Sequence, residues 1–247
     1  MSRVYMKVEL LAMTPSPDEI VAMAARLCYS SADIDKLKSG VAASDRPAFI
    51  KRLIDMGHLS TIEHCSFSFG IEGVSRALLA QITRHRLASF SVQSQRYVSE
   101  IRQSGVFNYI MPPQIAELGE EAQKKYDEQM RIMQSWYNEW NEALGSQGEK
   151  SNEDARFVLP NAAETKMIMT MNARELIHFF KLRCCERAQW EIRELAWRML
   201  EIVAKEAPAL FEKAGPSCVS GRCSEGKMSC GKAAKIREKR EKLNYER

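Results

Sequence analysis

The chain has 247 residues, 45% apolar and 28% charged, with a formal net charge of +4. That length holds one large or two small domains with ample core, and the composition is ordinary for a globular protein. No run of about 18 apolar residues exists to form a membrane-spanning helix. The start of the chain reads as lacking a secretory signal. Seven cysteines, an odd number with Cys184 and Cys185 adjacent, do not resemble a secreted disulfide framework. A cytoplasmic protein with no membrane partner is expected. Residues 231–247 hold seven Lys and Arg against three Glu, so the formal excess sits wholly in this stretch. A nucleic-acid binder carries its basic face across the folded body, so no nucleic-acid partner is expected.

In chain order, Ser16-Pro17-Asp18-Glu19 predicts a helix start, with Pro at the first helical position and acids in the first turn. That helix should run to about Cys28. Asp45-Arg46-Pro47 opens a second, and Gly57 supplies its stop. Cys65, Phe67, Phe69 and Ile71 alternate with polar or small residues, the period of a half-buried strand. Val74, Ala77, Leu78 and Ile82 have helical spacing, which predicts a helix to about Leu87. Pro112-Pro113 begin a long amphipathic helix to about Leu144, with Trp136, Tyr137 and Trp140 as packing residues. Ser151-Asn152-Glu153-Asp154 reads as the cap of a short helix, Lys166 to Met171 as a strand, and Asn172 as the cap of the next helix. A further helix runs from about Ala188 to Lys205 and stops at Pro208. Lys232 to Arg247 reads as a solvated charged helix. The fold class is α+β: a single helix-rich domain over residues 1–212 with a small mixed or antiparallel sheet, then a Cys-containing basic tail over 213–247.

Residues 84–97 carry the most chemistry. Arg84, Arg86 and Arg96 lie there with His85, Ser89, Ser91 and Ser94, and no acidic residue intervenes. Guanidinium forks and hydroxyls of this kind make charge-assisted hydrogen bonds to phosphate. No Gly-x-Gly-x-x-Gly turn and no phosphate-binding Gly-x-x-x-x-Gly-Lys-Ser/Thr loop is present. Cys65, Cys184 and Cys185 read as buried thiols rather than nucleophiles. Cys218, Cys223 and Cys230 offer three thiols at irregular spacing with no obvious fourth ligand, so no metal is assigned.

Arg84-His85-Arg86, two residues, Ser89, four residues, Ser94, one residue, Arg96 resembles the motif of the flavin-dependent thymidylate synthases. Three other stretches are similar to the same family in the same order: Gly57 to His64, Ala155 to Pro160, and Asn172-Ala173-Arg174 through Leu182-Arg183 to Gln189-Trp190-Glu191. The resemblance covers about residues 5–212. It implies reductive methylation of dUMP to dTMP, with methylenetetrahydrofolate as one-carbon donor and NADPH-reduced FAD as hydride source. It also implies a homotetramer whose active sites are shared between subunits.

Carried over residue by residue, the resemblance assigns dUMP contacts to Gln81, Arg84, Gln93, Ser94, Gln95, Arg96, Arg156 and Arg183. It assigns FAD contacts to Ser60, Arg84, His85, Arg86, Val92, Asn172, Arg174 and His178, and catalytic roles to Arg183 and His58. Arg183 would stabilise the ionised N3 of uracil, which makes C5 more nucleophilic. A reduced flavin removes the need for a thiolate nucleophile, and none is evident. The chain departs from the family pattern at Ser91-Val92, where Asn-Glu is frequent, at Cys28 for Ser and at His178 for Asn. The alternatives are a flavoprotein modifying uridine in RNA and a regulatory protein whose Arg84–Arg96 segment contacts nucleic-acid phosphates.

Overall fold

Four strands form one sheet in the order β1-β2-β4-β3, with β1 at Lys7–Met13, β2 at Ser66–Ser75, β3 at Ala88–Val92 and β4 at Glu164–Asn172. The register of the central pair is antiparallel. Ser68 meets Thr170 at 2.8 Å, while the Gly73 N–H donates to Glu164 Oε1 at 3.1 Å, so the numbering ascends on one strand and descends on the other. This computed structural model describes residues 2–42, 44–101 and 105–245, so the last two residues of the expected tail lie outside it. The helices are α1 (Pro17–Leu27), α2 (Ile34–Ala42), α3 (Arg46–Asp55), α4 (Arg76–Ile82), α5 (Pro113–Glu117), α6 (Glu120–Ala143), α7 (Glu149–Ala155), α8 (Ala173–Arg183), α9 (Trp190–Glu206), α10 (Pro208–Phe211), α11 (Ser217–Ser220) and α12 (Ala233–Tyr245). Helices with a small sheet are the α+β class, and no helix among the described residues is long and apolar enough to cross a membrane.

The chain divides into two compact units. The first comprises Met1–Lys7, Gly70–Arg84 and Phe90–Ile168. Its core gathers Phe107, Tyr109, Met130 and Ala163, with Tyr126 and Met133 packed against them. Polar groups of α6 hold the backbone N–H groups of Glu100 and Phe107. The Tyr137 hydroxyl receives the Glu100 N–H at 3.2 Å and donates to Asn152 Oδ1 at 3.0 Å, while Gln134 Oε1 takes the Phe107 N–H at 2.6 Å. Gly73 has φ +68°, and a Cβ there would fall 2.0 Å from the Tyr5 carbonyl oxygen, so only glycine lets these backbones meet.

The second unit comprises Val8–Phe69, His85–Ser89 and Met169–Arg247. Phe67, Phe180 and Phe211 stack edge-to-face in its core, at 5.4 and 6.0 Å between centroids. On α12, Ile236 and Leu243 are buried, and Arg240 is only 2% exposed. Arg240 donates to the carbonyls of Phe211, Glu212 and Ala214, groups that the end of α10 leaves outside the helix ladder. The expected solvated terminal helix is therefore tied down by its own arginine.

Several elements differ from the expectations. The helix predicted over Val74–Leu87 begins only after Ser75, whose hydroxyl caps Leu78 N, and stops at Ile82. The helix from Pro112 breaks at Gly119, where φ is +102°. Ser151–Asp154 lie inside α7 rather than capping it. Pro208 opens α10 instead of merely stopping α9. Tyr137 packs as expected, but Trp136 and Trp140 are 47% and 56% exposed, because the face of α6 that is buried is the one bearing Met130, Gln134, Tyr137 and Asn141.

Candidate functional site

The expected phosphate contacts lie in the first unit. Gln81 lies half-buried in the last turn of α4, Arg84 follows the helix exposed, and Val92 closes β3 half-buried. The Gln93 backbone is already engaged: its N–H donates to the Lys166 carbonyl at 2.9 Å and its carbonyl accepts from Arg76 Nη2 at 2.9 Å. The pairing with Lys166 extends the β3–β4 ladder by one residue past Val92, so only the Gln93 side chain is left for a ligand. The Ser94 hydroxyl accepts the Arg96 N–H at 3.2 Å and shapes the turn that presents Arg96.

Arg96 and Arg156 are brought together through one acidic residue. Arg96 Nε donates to Glu149 Oε1 at 2.6 Å and stands 3.5 Å from Glu153 Oε2, while Arg156 Nε donates to the Glu153 carbonyl at 3.0 Å. Glu149 holds the Arg96 guanidinium above its ordinary pKa, so it stays charged. Two enclosed donors of the same unit have no partner among the described residues, Arg76 Nε and Gln95 Nε2. Unmatched buried donors are costly, and an anionic oxygen is an acceptor that either could take. Burial pushes the Arg76 guanidinium down, with Glu100 opposing and Arg156 adding to the shift. Sequence reasoning missed Arg76. The signal was a lone arginine directly before the apolar run Ala77 to Ala80.

His58, Ser60, His85, Arg86, Asn172, Arg174, His178 and Arg183 belong to the second unit. His58 is half-buried before the 3₁₀ turn Leu59–His64, its carbonyl accepting from Thr61 Oγ1 at 3.0 Å and its ring 6.0 Å from Tyr29. Ser60, Arg86, Arg174 and His178 are exposed. Asn172 caps α8, as expected, with Oδ1 on the Glu175 N–H at 2.9 Å. Arg174 pairs with Glu63. Arg174 stands in the first turn of α8, so its guanidinium and the helix N-terminus are donors of the kind a pyrophosphate accepts from.

Three of these side chains form a chain of contacts. His85 Nδ1 meets Glu175 Oε1 at 3.1 Å, and Arg183 Nε donates to His85 Nε2 at 3.1 Å. The guanidinium can only donate, so Nε2 presents its lone pair and the ring hydrogen sits on Nδ1, toward the carboxylate. His85 is buried, and burial lowers its pKa from 6.5, with the Glu175 hydrogen bond opposing and the Arg183 charge assisting. The imidazole is thus neutral and fixed in one tautomer. Glu175 and Arg183 lie two turns apart on α8, about 12 Å, with His85 and Phe179 (5.0 Å between rings) filling the interval. Sequence reasoning selected His85 and Arg183 but missed Glu175.

Burial raises the thiol of Cys65 to about 11 and pushes Cys184 further up, which makes both poor nucleophiles.

The family model described as thymidylate synthase complementing protein matches residues 9–209. The chain is 53% identical to the flavin-dependent thymidylate synthase of Geobacter sulfurreducens, over 94% of this chain and 97% of that protein. It is 48% identical to the protein of the same name from Clostridium tetani, over 94% and 96%. Among solved structures, thymidylate synthase X of Helicobacter pylori with FAD and dUMP matches at 25% identity and a TM-score of 0.61, covering 85% of this chain and 99% of that one.

Proposed function

The chain belongs to the thymidylate synthase complementing protein family, and from that membership we propose how its own residues serve the reaction. The protein is a flavin-dependent thymidylate synthase that converts dUMP to dTMP with FAD as cofactor and methylenetetrahydrofolate and NADPH as cosubstrates. The match over residues 9–209, which takes in every candidate residue above, carries this assignment.

On this reading the dUMP phosphate engages Arg96, Arg156 and Ser94, and supplies the acceptor that Arg76 Nε and Gln95 Nε2 lack. Gln81, Arg84 and the Gln93 side chain complete the nucleotide contacts. Arg183 faces the uracil ring, where a guanidinium favours the ionised N3 and raises the nucleophilicity of C5. The neutral His85 takes one Arg183 N–H and so holds the guanidinium in a single orientation. When bound, FAD reduced by NADPH supplies the hydride that completes the methyl group. Arg86, Arg174 and the start of α8 hold its pyrophosphate, with Ser60, His85, Asn172, His178, Arg84 and Val92 as further contacts. His58 borders the reacting groups.

The chemistry belongs to residues 1–212, with 213–247 adding no reacting group. A cytoplasmic homotetramer with shared active sites completes the reading. Tritium release from C5-labelled dUMP tests it. Release that requires folate, NADPH and flavin is the expected result, and a colourless protein giving no release with all components present would overturn it.

A further inference from the structure

The three cysteines of the last segment acquire a fourth neighbour in the fold. Cys185 lies in the turn between α8 and α9, and Cys218, Cys223 and Cys230 follow in and around α11. All four belong to the second unit. Cys218 is buried, and the Cys223, Cys185 and Cys230 thiols lie within electrostatic reach of it.

Specific contacts tie the three segments together. Arg187, two residues beyond Cys185, pairs with Glu225, two beyond Cys223, at 2.6 Å. Glu186, next to Cys185, pairs with Lys232, two beyond Cys230, at 2.9 Å. The Ser224 N–H donates to Ser217 Oγ at 3.0 Å, closing the stretch from Cys218 to Cys223 into a knuckle. Arg237 of α12 donates to the carbonyls of Cys218 and Gly221 at 2.7 and 3.2 Å. The ion pairs are exposed and each is worth little alone. Their common effect is to tie the cysteine-bearing segments to one another.

We propose that Cys185, Cys218, Cys223 and Cys230 form a tetrathiolate site for a structural zinc ion. Four thiolates are the ligand set of closed structural zinc sites, and the Cys218-x4-Cys223 spacing falls within their usual range. Among the described residues no three His, Cys, Asp or Glu side chains already stand in a ligating array. Binding therefore draws the thiols inward and releases their protons, which couples the ion to ordering of the segment. Cys223 is half-buried and Cys230 exposed, so both have room to turn. Arg237, bonded to the neutral carbonyls of Cys218 and Gly221, offsets part of the charge of four thiolates. Once bound, the ion fixes the turn two residues beyond Arg183.

Full-length protein, purified with zinc in the medium and without chelators, is assayed for metal by mass spectrometry. About one zinc per chain is expected, with Cys28→Ser retaining it and Cys185→Ser, Cys223→Ser and Cys230→Ser each losing most of it. Because a variant can fail to fold, wild-type protein stripped of metal is also titrated with cobalt chloride. Intense thiolate-to-cobalt charge-transfer bands saturating at one equivalent support the site. No bound metal and no such bands would overturn it, as would a disulfide joining two of the four cysteines in protein kept under reducing conditions. Neither readout depends on thymidylate synthesis.

Discussion

Glu175 accepts the Nδ1 hydrogen of His85 at 3.1 Å and thereby decides which face of the imidazole Arg183 meets. A glutamine at 175 can donate as well as accept, so the ring loses its fixed tautomer. Glu175→Gln should lower kcat/KM for dUMP roughly 10–100-fold, the worth of one charged hydrogen bond. An unchanged rate would remove the positioning role.

The same burial makes stability depend on pH. The His85 pKa lies below 6.5 in the folded protein, so between that value and 6.5 the unfolded chain binds more protons. Stability from this group is complete above pH 6.5 and is lost as pH falls toward the folded pKa. Melting temperature measured from pH 7.5 to 5 should therefore decline on the acid side less steeply for His85→Gln than for the wild type. Equal slopes would show that another group governs the decline.

Arg183→Ala should leave the flavin spectrum of the purified protein intact. Turnover should fall about 10²–10³-fold, as when a donor to developing negative charge is removed. Steady-state kinetics beside the absorbance spectrum separate the two effects.

Removing a phosphate contact should weaken binding more than chemistry. Arg156→Ala is expected to raise the dUMP Kd roughly 10–100-fold, for the loss of a charge-assisted hydrogen bond. Deoxyuridine, which lacks the phosphate, should show little difference between the variant and wild type. Isothermal titration with both ligands reads this directly.

Gly73→Ala places a methyl group against the Tyr5 carbonyl at a positive φ. Strain and overlap together should cost roughly 2–5 kcal/mol, seen as a lowered denaturant midpoint or loss of soluble protein.

The arginines of residues 84–96 and the Asn172 cap stand out in short local runs, whereas Arg183 was singled out only through the family resemblance. Glu175 did not stand out, since its partner His85 is 90 residues away and a glutamate in the first turn of a helix is ordinary. Strand β1 was missed because Leu10 and Leu11 interrupt its alternation. Ala88 to Val92 does alternate, yet its serines drew the eye to phosphate rather than to a strand. The exposure of Trp136 and Trp140 had no sequence signal, because helical spacing does not say which face the core will take.

Arg96 holds an internal counter-ion, Glu149, at the place where a phosphate would dock. Loading is then an exchange of one anion for another, and the energy gained is a difference between two pairings. Inorganic phosphate brings charge but no base or sugar, so it has little with which to displace the resident carboxylate. A nucleotide brings all three parts. On the proposed reading of Arg96 as a phosphate contact, Glu149 sets an entry threshold that favours a nucleotide over inorganic phosphate.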